Sequence, residues 1–153
     1  MKLGDVLRKE RERREIAPPE VAVALGISEE EYRELEEGES QAEQWGPLLA
    51  RIAIALQTPT ARLLAESGRS ADTRPGQAGT LIRRQREARE KTPEQMAEEL
   101  GISVDEYRAV EEGRSPIETF GPRLLAFAET TDQPVFNLFY PAGLPFQELD
   151  DYP

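Results

Sequence analysis

Charged side chains crowd two short segments, 29–39 and 104–114, which carry the most evident chemistry of the chain. The first segment holds seven acids and one base, Arg33, whereas the second mixes acids with Arg108 and Arg114. Carboxylates accept hydrogen bonds from basic side chains or from cytosine N4, and guanidinium groups bind phosphate or guanine. Both segments are therefore candidate surfaces for a charged macromolecule.

Residue types that most catalytic and metal sites need are missing. The 153-residue chain has no His and no Cys, which removes the commonest general base, the commonest transition-metal ligand and the thiolate nucleophile. The carboxylates fall on predicted exposed helices, without a nucleophile–base set or a phosphate-binding loop. We therefore expect that the protein is not an enzyme and that it binds neither a metal ion nor a cofactor.

The overall charge argues against strong, unselective binding to nucleic acid. Acids outnumber bases by 30 to 19, for a net charge of −11, whereas DNA binding depends largely on Lys and Arg that neutralise phosphates. No apolar run approaches the roughly 20 residues of a membrane span, and the N-terminus is polar. The sequence predicts a cytoplasmic protein without a membrane partner.

The chain repeats itself at a shift of 75 residues. The segment LGISEEEYRELEEGES (25–40) aligns with LGISVDEYRAVEEGRS (100–115). Without a gap, the match extends from Gly4 and Gly79 to Gly68 and Gly143. Because solenoid repeats are shorter, we interpret it as two copies of one small domain. The predicted domains are 1–67 and 78–143, joined by a polar Gly/Pro/Ser-rich linker, 68–77, and followed by a tail, 144–153.

Each copy is predicted to form five short helices, because apolar residues recur at helical spacing and strand-like alternation is absent. Ser28 and Ser103 are predicted N-caps, each followed three residues later by a Glu that completes a capping box. The fourth helices are expected near 47–57 and 122–131, with a proline in the first turn. The fold class is all-α.

The pattern A-x-x-L-G-I-S-x-x-x-Y-R-x-(L/V)-E-E-G occurs at 22–38 and 97–113. It resembles the lambda-repressor/Cro-like (XRE) helix–turn–helix family over about 65 residues of each half. The resemblance implies two tandem five-helix domains whose third helix enters the major groove. It also implies ion pairs that join the first helix to the end of the third. The predicted pairs are Arg8 with Glu36 and Arg83 with Glu111.

The DNA-facing positions of that family differ between the two copies. In the first copy these positions are Glu29, Glu30, Arg33 and Glu34. The three carboxylates should repel phosphate. In the second copy, Val104 could contact a thymine methyl, and Arg108 and Arg114 could contact phosphate or guanine. The candidate DNA-binding residues are therefore Ser103, Val104, Asp105, Arg108, Ala109 and Arg114.

Two functions follow as alternatives. The first is an XRE-type transcriptional regulator that binds DNA, more plausibly through its second unit. The second is a degenerate acidic scaffold that binds a protein partner, as a co-regulator or a decoy for a DNA-binding surface. The aromatic residues Phe136, Phe139 and Tyr140 are candidates for a domain interface or a homodimer interface.

Overall fold

The structure, a computed structural model, describes residues 2–139, and every regular element within them is a helix. The helices of the first repeat are α1 (Leu3–Arg13), α2 (Pro18–Leu25), α3 (Glu29–Glu37), α4 (Ala42–Leu56) and α5 (Thr60–Leu64). Those of the second repeat are α6 (Gln77–Ala88), α7 (Pro93–Leu100), α8 (Val104–Glu111), α9 (Ile117–Thr130) and a 3-10 helix, Val135–Leu138. The all-α prediction is confirmed for these residues. Tyr140 and the predicted tail, 144–153, lie outside them.

The helix boundaries at the turn between the second and third helices of each repeat follow the predicted signals. Gly26 and Gly101 end α2 and α7 in the left-handed conformation, which a residue without a β-carbon adopts at little cost. Ser28 and Ser103 accept hydrogen bonds from the backbone N–H of Glu31 and Glu106, completing both capping boxes. The predicted caps are confirmed.

The prediction for the fourth helices was wrong at their N-terminal ends. Helix α4 begins at Ala42 rather than near Pro47, which lies inside the helix. The hydroxyl of Ser40 accepts a hydrogen bond from the backbone N–H of Ala42 and starts the helix earlier. Pro122 lies inside α9 in the same way. Each proline removes one backbone hydrogen bond, which packing of the buried apolar side chains of α4 and α9 against neighbouring helices offsets.

The predicted linker is ordered against the second repeat. Ser70–Asp72 forms a 3-10 helix, and the Glu129 carboxylate at the end of α9 accepts a hydrogen bond from the backbone N–H of Ser70 at 3.0 Å. The last linker residue, Gln77, is already the first residue of α6. The division of the chain into two domains stays a prediction from the sequence.

The two repeats interlock through their fourth helices. Helix α9 of the second repeat packs on α2 of the first, and α4 of the first repeat packs on α7 of the second. Helix α5 lies against α6, and the 3-10 helix Val135–Leu138 lies against α1. The long helices α4 and α9 also contact each other. The buried apolar side chains of both repeats therefore form one cluster.

Two equivalent glycines show that the exchange follows an approximate two-fold symmetry. A β-carbon at Gly46 would lie 2.9 Å from Cε1 of Phe139, and one at Gly121 would lie 2.6 Å from Cδ2 of Leu64. Gly46 corresponds to Gly121 in the repeat, and Leu64 corresponds to Phe139. Each repeat thus inserts an apolar residue, Leu64 or Phe139, against the glycine of the other. Self-complementary contacts of this kind are typical of two-fold dimers.

The same exchange corrects the predicted homodimer interface. Phe136 and Phe139 are buried within the chain, where Phe139 packs against α4 of the first repeat. They lie in the interface between the repeats, as the alternative prediction of a domain interface stated. They are therefore not available to a second copy of the chain. Tyr140, the third residue of that prediction, lies outside the described residues.

Candidate nucleic-acid interface

A helix–turn–helix unit in the second repeat is formed by α7, the turn 101–103 and α8. Thr92 caps α7 and accepts a hydrogen bond from the backbone N–H of Gln95, whose side chain bonds back to the N–H of Thr92. Pro93 occupies the first helical position, where its missing N–H has no helical partner in any case. Both helices are therefore fixed at their N-terminal ends by local sequence.

A buried ion pair holds α8 against α6. The Arg86 guanidinium donates two hydrogen bonds to Glu111, at 2.5 and 3.0 Å, and a third to the carbonyl of Lys91 at 2.8 Å. The hydroxyl of Tyr107 also donates to Glu111. The hydrogen bond with Glu111 raises the pKa of Arg86, which therefore stays charged. In the first repeat, Arg11 makes the same bidentate pair with Glu36.

These contacts correct the predicted pairs of Glu36 with Arg8 and of Glu111 with Arg83. Arg8 is exposed and donates to Asp5 at 3.0 Å, and Arg83 is also exposed. The arginine three positions further along each helix faces α3 or α8 instead. It follows a buried residue, Leu7 or Ile82, by four positions and so shares the core-facing side of its helix. The four-residue spacing from the large apolar residues Leu7 and Ile82 is the signal in the sequence that could have indicated Arg11 and Arg86.

The six predicted DNA-binding residues divide into exposed and structural positions. Arg108 and Arg114 are exposed, but each is held by an acid: Arg108 donates to Glu94 of α7 at 2.8 Å, and Arg114 to Glu112. Asp105 is exposed without a pair among the described residues. The remaining three are Ser103, which caps α8, Val104, which packs against the core, and the half-buried Ala109.

Helix α7 adds negative charge to this surface, which sequence reasoning focused on the third helix missed. Its exposed residues include Glu94, Glu98 and Glu99. Glu94 and Glu99 are paired with Arg108 and Lys91, at 2.8 and 3.1 Å. Glu98 has no ion pair within residues 2–139. Arg108 of α8 and Arg114, which follows the helix, therefore lie in a surface whose charged side chains without a pair in the described part of the chain, Glu98 and Asp105, are negative.

The equivalent surface of the first repeat is both acidic and apolar. Glu29 pairs with Arg33 at 2.6 Å, and Glu30 and Glu34 are exposed. Between them, Glu31 accepts from the backbone N–H of Ser28, which lowers the pKa of its carboxyl group. Neighbouring α2 presents an outer face that is apolar apart from Glu20, a feature that sequence analysis missed. Val23 is 80% exposed, the one exposed large hydrophobic residue within 2–139.

The outer faces of α2 and α7 have diverged most between the repeats. The exposed positions Pro19, Val23 and Ala24 of α2 correspond to Glu94, Glu98 and Glu99 of α7. Three apolar residues of the first unit therefore stand where the second unit has three acids. It points to different contacts for the two units.

The structure offers no alternative site for metal chemistry in the described part of the chain. Within residues 2–139, no group of His, Cys, Asp or Glu side chains has the arrangement of a metal site. Over the same range, none of the helices is long and apolar enough to span a membrane.

Comparison with known proteins supports the assignment of the second unit. Residues 77–135 match the family model of a helix-turn-helix domain. No curated protein and no solved structure matches the chain. The matched segment extends from the start of α6 to the first residue of the 3-10 helix at 135, and so includes the Arg86–Glu111 pair and both helices of the turn. Residues 77–135 therefore form a helix-turn-helix domain.

Proposed function

We propose that the protein is a tandem lambda-repressor/Cro-like (XRE-type) transcriptional regulator that binds DNA through its second helix–turn–helix unit. The observation that carries the proposal is Arg108. It is an exposed guanidinium on α8, the helix that enters the major groove in such domains. The buried Arg86–Glu111 pair fixes this helix on α6.

The intramolecular ion pairs of Arg108 on α8 and of Arg114 after it set the character of the binding. To reach phosphate or guanine, Arg108 must leave Glu94 and Arg114 must leave Glu112. Exposed ion pairs contribute only about 0–1 kcal/mol each, so DNA can replace them. The nearby free acids repel unselected phosphates, and we therefore propose weak non-specific binding with a strong dependence on the correct bases.

Binding of the purified full chain to duplex DNA across a salt series tests this function. A mixed-sequence duplex and a duplex enriched by repeated selection from a random pool would be compared between ~50 and ~200 mM salt. Each phosphate neutralised contributes about 0.9 to the slope of log affinity against log salt. We expect saturable binding to the enriched duplex with a measurable slope. No binding at ~50 mM salt would refute the proposal.

The surface of the first unit favours a second candidate function, binding of a protein partner. Its apolar centre at Val23 and its acidic α3 complement a surface with apolar residues surrounded by Lys and Arg. The same acids oppose phosphate. In this proposal the two units have different functions: the first unit binds a protein partner, and the second unit contacts DNA.

Replacing Glu29, Glu30 and Glu34 together by Gln separates the two roles of the first unit. If the unit approaches DNA, removing three negative charges strengthens duplex binding. If it binds a basic protein surface, DNA affinity stays nearly constant, and affinity for a basic amphipathic peptide falls. The same change at Glu94, Glu98 and Glu99 of the second unit is the comparison: it should strengthen duplex binding through that unit and leave affinity for the basic peptide unchanged.

A further inference from the structure

A cavity of about 450 Å³ lies between the two repeats. The end of α9 and the following residues form one side, and α5 with the start of the linker forms the other. Pro59 and Pro134, which are equivalent in the repeat, both line it. Its volume is within the range of roughly 300–1,000 Å³ found for small-molecule sites, which occur preferentially where domains meet.

The inner part of the cavity is apolar. Leu125, Ala128 and Val135 line it from the second repeat, and Ala61 lines it from the first. All four side chains are almost fully buried in the folded chain, so the surface is fixed by the core. An apolar molecular body placed here would leave water without displacing any charged group.

Two arginines stand at the opening of this cavity. Arg62 of α5 and Arg69 of the linker line it, and neither forms an ion pair within residues 2–139. The stem of Arg62 lies close to Gly68, where a β-carbon would be 3.6 Å from Nε. Gly68 has a φ of +76°, so the residue between the two arginines adopts a conformation that favours glycine.

Two acids, Glu129 and Asp132, also line this cavity. Glu129 accepts the backbone N–H of Ser70 at 3.0 Å and so holds the linker on α9. Asp132 lies beside it and also has an interaction of its own. The charged donors in the lining are the guanidinium N–H groups of Arg62 and Arg69, and such groups bind carboxylates through parallel charge-assisted hydrogen bonds.

We propose that this cavity binds a small amphipathic organic anion. The apolar body occupies the surface formed by Leu125, Ala128 and Val135, and the anionic group meets Arg62 and Arg69. Such a ligand touches α5, the linker and α9 together and so fixes one repeat on the other. The proposal is independent of DNA binding, since it depends only on the described cavity.

Displacement of a fluorescent aromatic sulfonate, 1-anilinonaphthalene-8-sulfonate, by decanoate tests the proposal on the full chain. Decyltrimethylammonium provides an apolar chain of the same length with the opposite charge. We expect decanoate to displace the dye with a stoichiometry of one and to raise Tm, and the cation to do neither. Equal effects of the two compounds, or no displacement, would overturn the proposal.

Variants locate the binding in this cavity. Arg62→Gln combined with Arg69→Gln should weaken decanoate binding by roughly tenfold or more, because two charge-assisted hydrogen bonds are lost. The matched control, Arg13→Gln combined with Arg83→Gln, removes two exposed arginines that lie outside the cavity. Both variants change exposed side chains only, so both should fold. Unchanged binding in the first, or equal weakening in both, would refute this site.

Discussion

At the scale of single residues, the strongest polar contact of the second unit is the pair between Arg86 and Glu111. The side chains of Arg86 and Glu111 are 11% and 9% exposed, and two hydrogen bonds join them. Water therefore cannot replace either partner readily. The pair ties the C-terminal end of α8 to α6 and so sets the orientation of the proposed recognition helix.

Replacing Arg86 by Ala should lower the free energy of unfolding by about 3 kcal/mol, because a buried carboxylate then lacks its partner. Arg83→Ala, on the same helix, should change it by less than about 0.5 kcal/mol, since Arg83 is exposed. Urea unfolding of both variants measures the difference. Equal effects of the two variants would contradict the Arg86–Glu111 pair and would favour the pair of Arg83 with Glu111 that the family resemblance implied.

Charge around Arg108 leads to a second prediction. Glu94→Gln removes a negative charge and also releases Arg108, whereas Glu98→Gln, on the same helix, removes a charge only. We expect Glu94→Gln to strengthen binding to the enriched duplex several-fold more than Glu98→Gln, by an amount near the ~0.2–1 kcal/mol of an exposed pair. Fluorescence anisotropy measures both. Equal gains would mean that the Glu94 contact does not restrain Arg108.

Residue patterns in the sequence predicted some of these contacts and left others open. The caps at Ser28 and Ser103 depend on neighbours along the chain and were predicted correctly. Which arginine pairs with the glutamate depends on which side of α1 or α6 faces the core. Comparing the two copies does not help, because both copies have arginine at both positions, Arg8 and Arg11 in the first and Arg83 and Arg86 in the second. The exposure of Val23 depends on packing of α2 against α9, which comes from the other repeat.

At the scale of elements, a glycine allows α6 to approach the end of α8. A β-carbon at Gly79 would lie 2.5 Å from the carbonyl oxygen of Val110 and 2.6 Å from that of Glu111. Both atoms belong to the backbone of a helix and cannot move away independently. This approach brings the first turn of α6 to the end of the proposed recognition helix.

Gly79→Ala should therefore destabilise the protein, although alanine favours helices. We expect a loss of about 1–3 kcal/mol, the range for forcing extra atoms into a packed core. Glu87→Ala, at an exposed position of the same helix, is the control and should be nearly neutral. Thermal or urea unfolding compares them, and a stabilised Gly79→Ala variant would contradict the close approach.

The start of α4 and α9 shows why helix ends were only partly predictable. Proline is most favourable in the first turn, so Pro47 and Pro122 indicated helices that begin there. In the structure, the hydroxyls of Ser40 and Ser115 cap the backbone several residues earlier. Tertiary burial of these helices then offsets the interior proline, and burial of that kind is not visible in local sequence.

At the scale of the whole molecule, the interlocked repeats make each half depend on the other. The last helices of each half complete the core of the other half. Sequence similarity cannot reveal such an exchange, because equivalent helices carry the same apolar positions and fit either location. The repeat predicted two units, a division that stays a prediction, and it gave no information on which fourth helix packs on which unit.

A cut in the linker should leave the two halves associated. With a protease site inserted after the exposed Arg74, the cleaved protein should elute with the intact chain on size exclusion. It should separate only in denaturant. The second half expressed alone should be unfolded or dimeric, since it lacks α4 and α5. Elution of two folded monomers after cleavage would contradict the exchange.

The most direct test of the proposed function compares Arg108→Ala with Arg33→Ala. The two arginines occupy equivalent positions of the two third helices, and their side chains are 51% and 65% exposed. Each pairs with one glutamate, Arg108 with Glu94 of α7 and Arg33 with Glu29 of its own helix. We predict that Arg108→Ala weakens binding to the enriched duplex by roughly tenfold, in line with about 1–3 kcal/mol for one specific contact. Arg33→Ala should leave that affinity within about twofold, because surface changes away from the contact have small effects. Equal effects, or a larger effect of Arg33→Ala, would contradict DNA binding through the second unit.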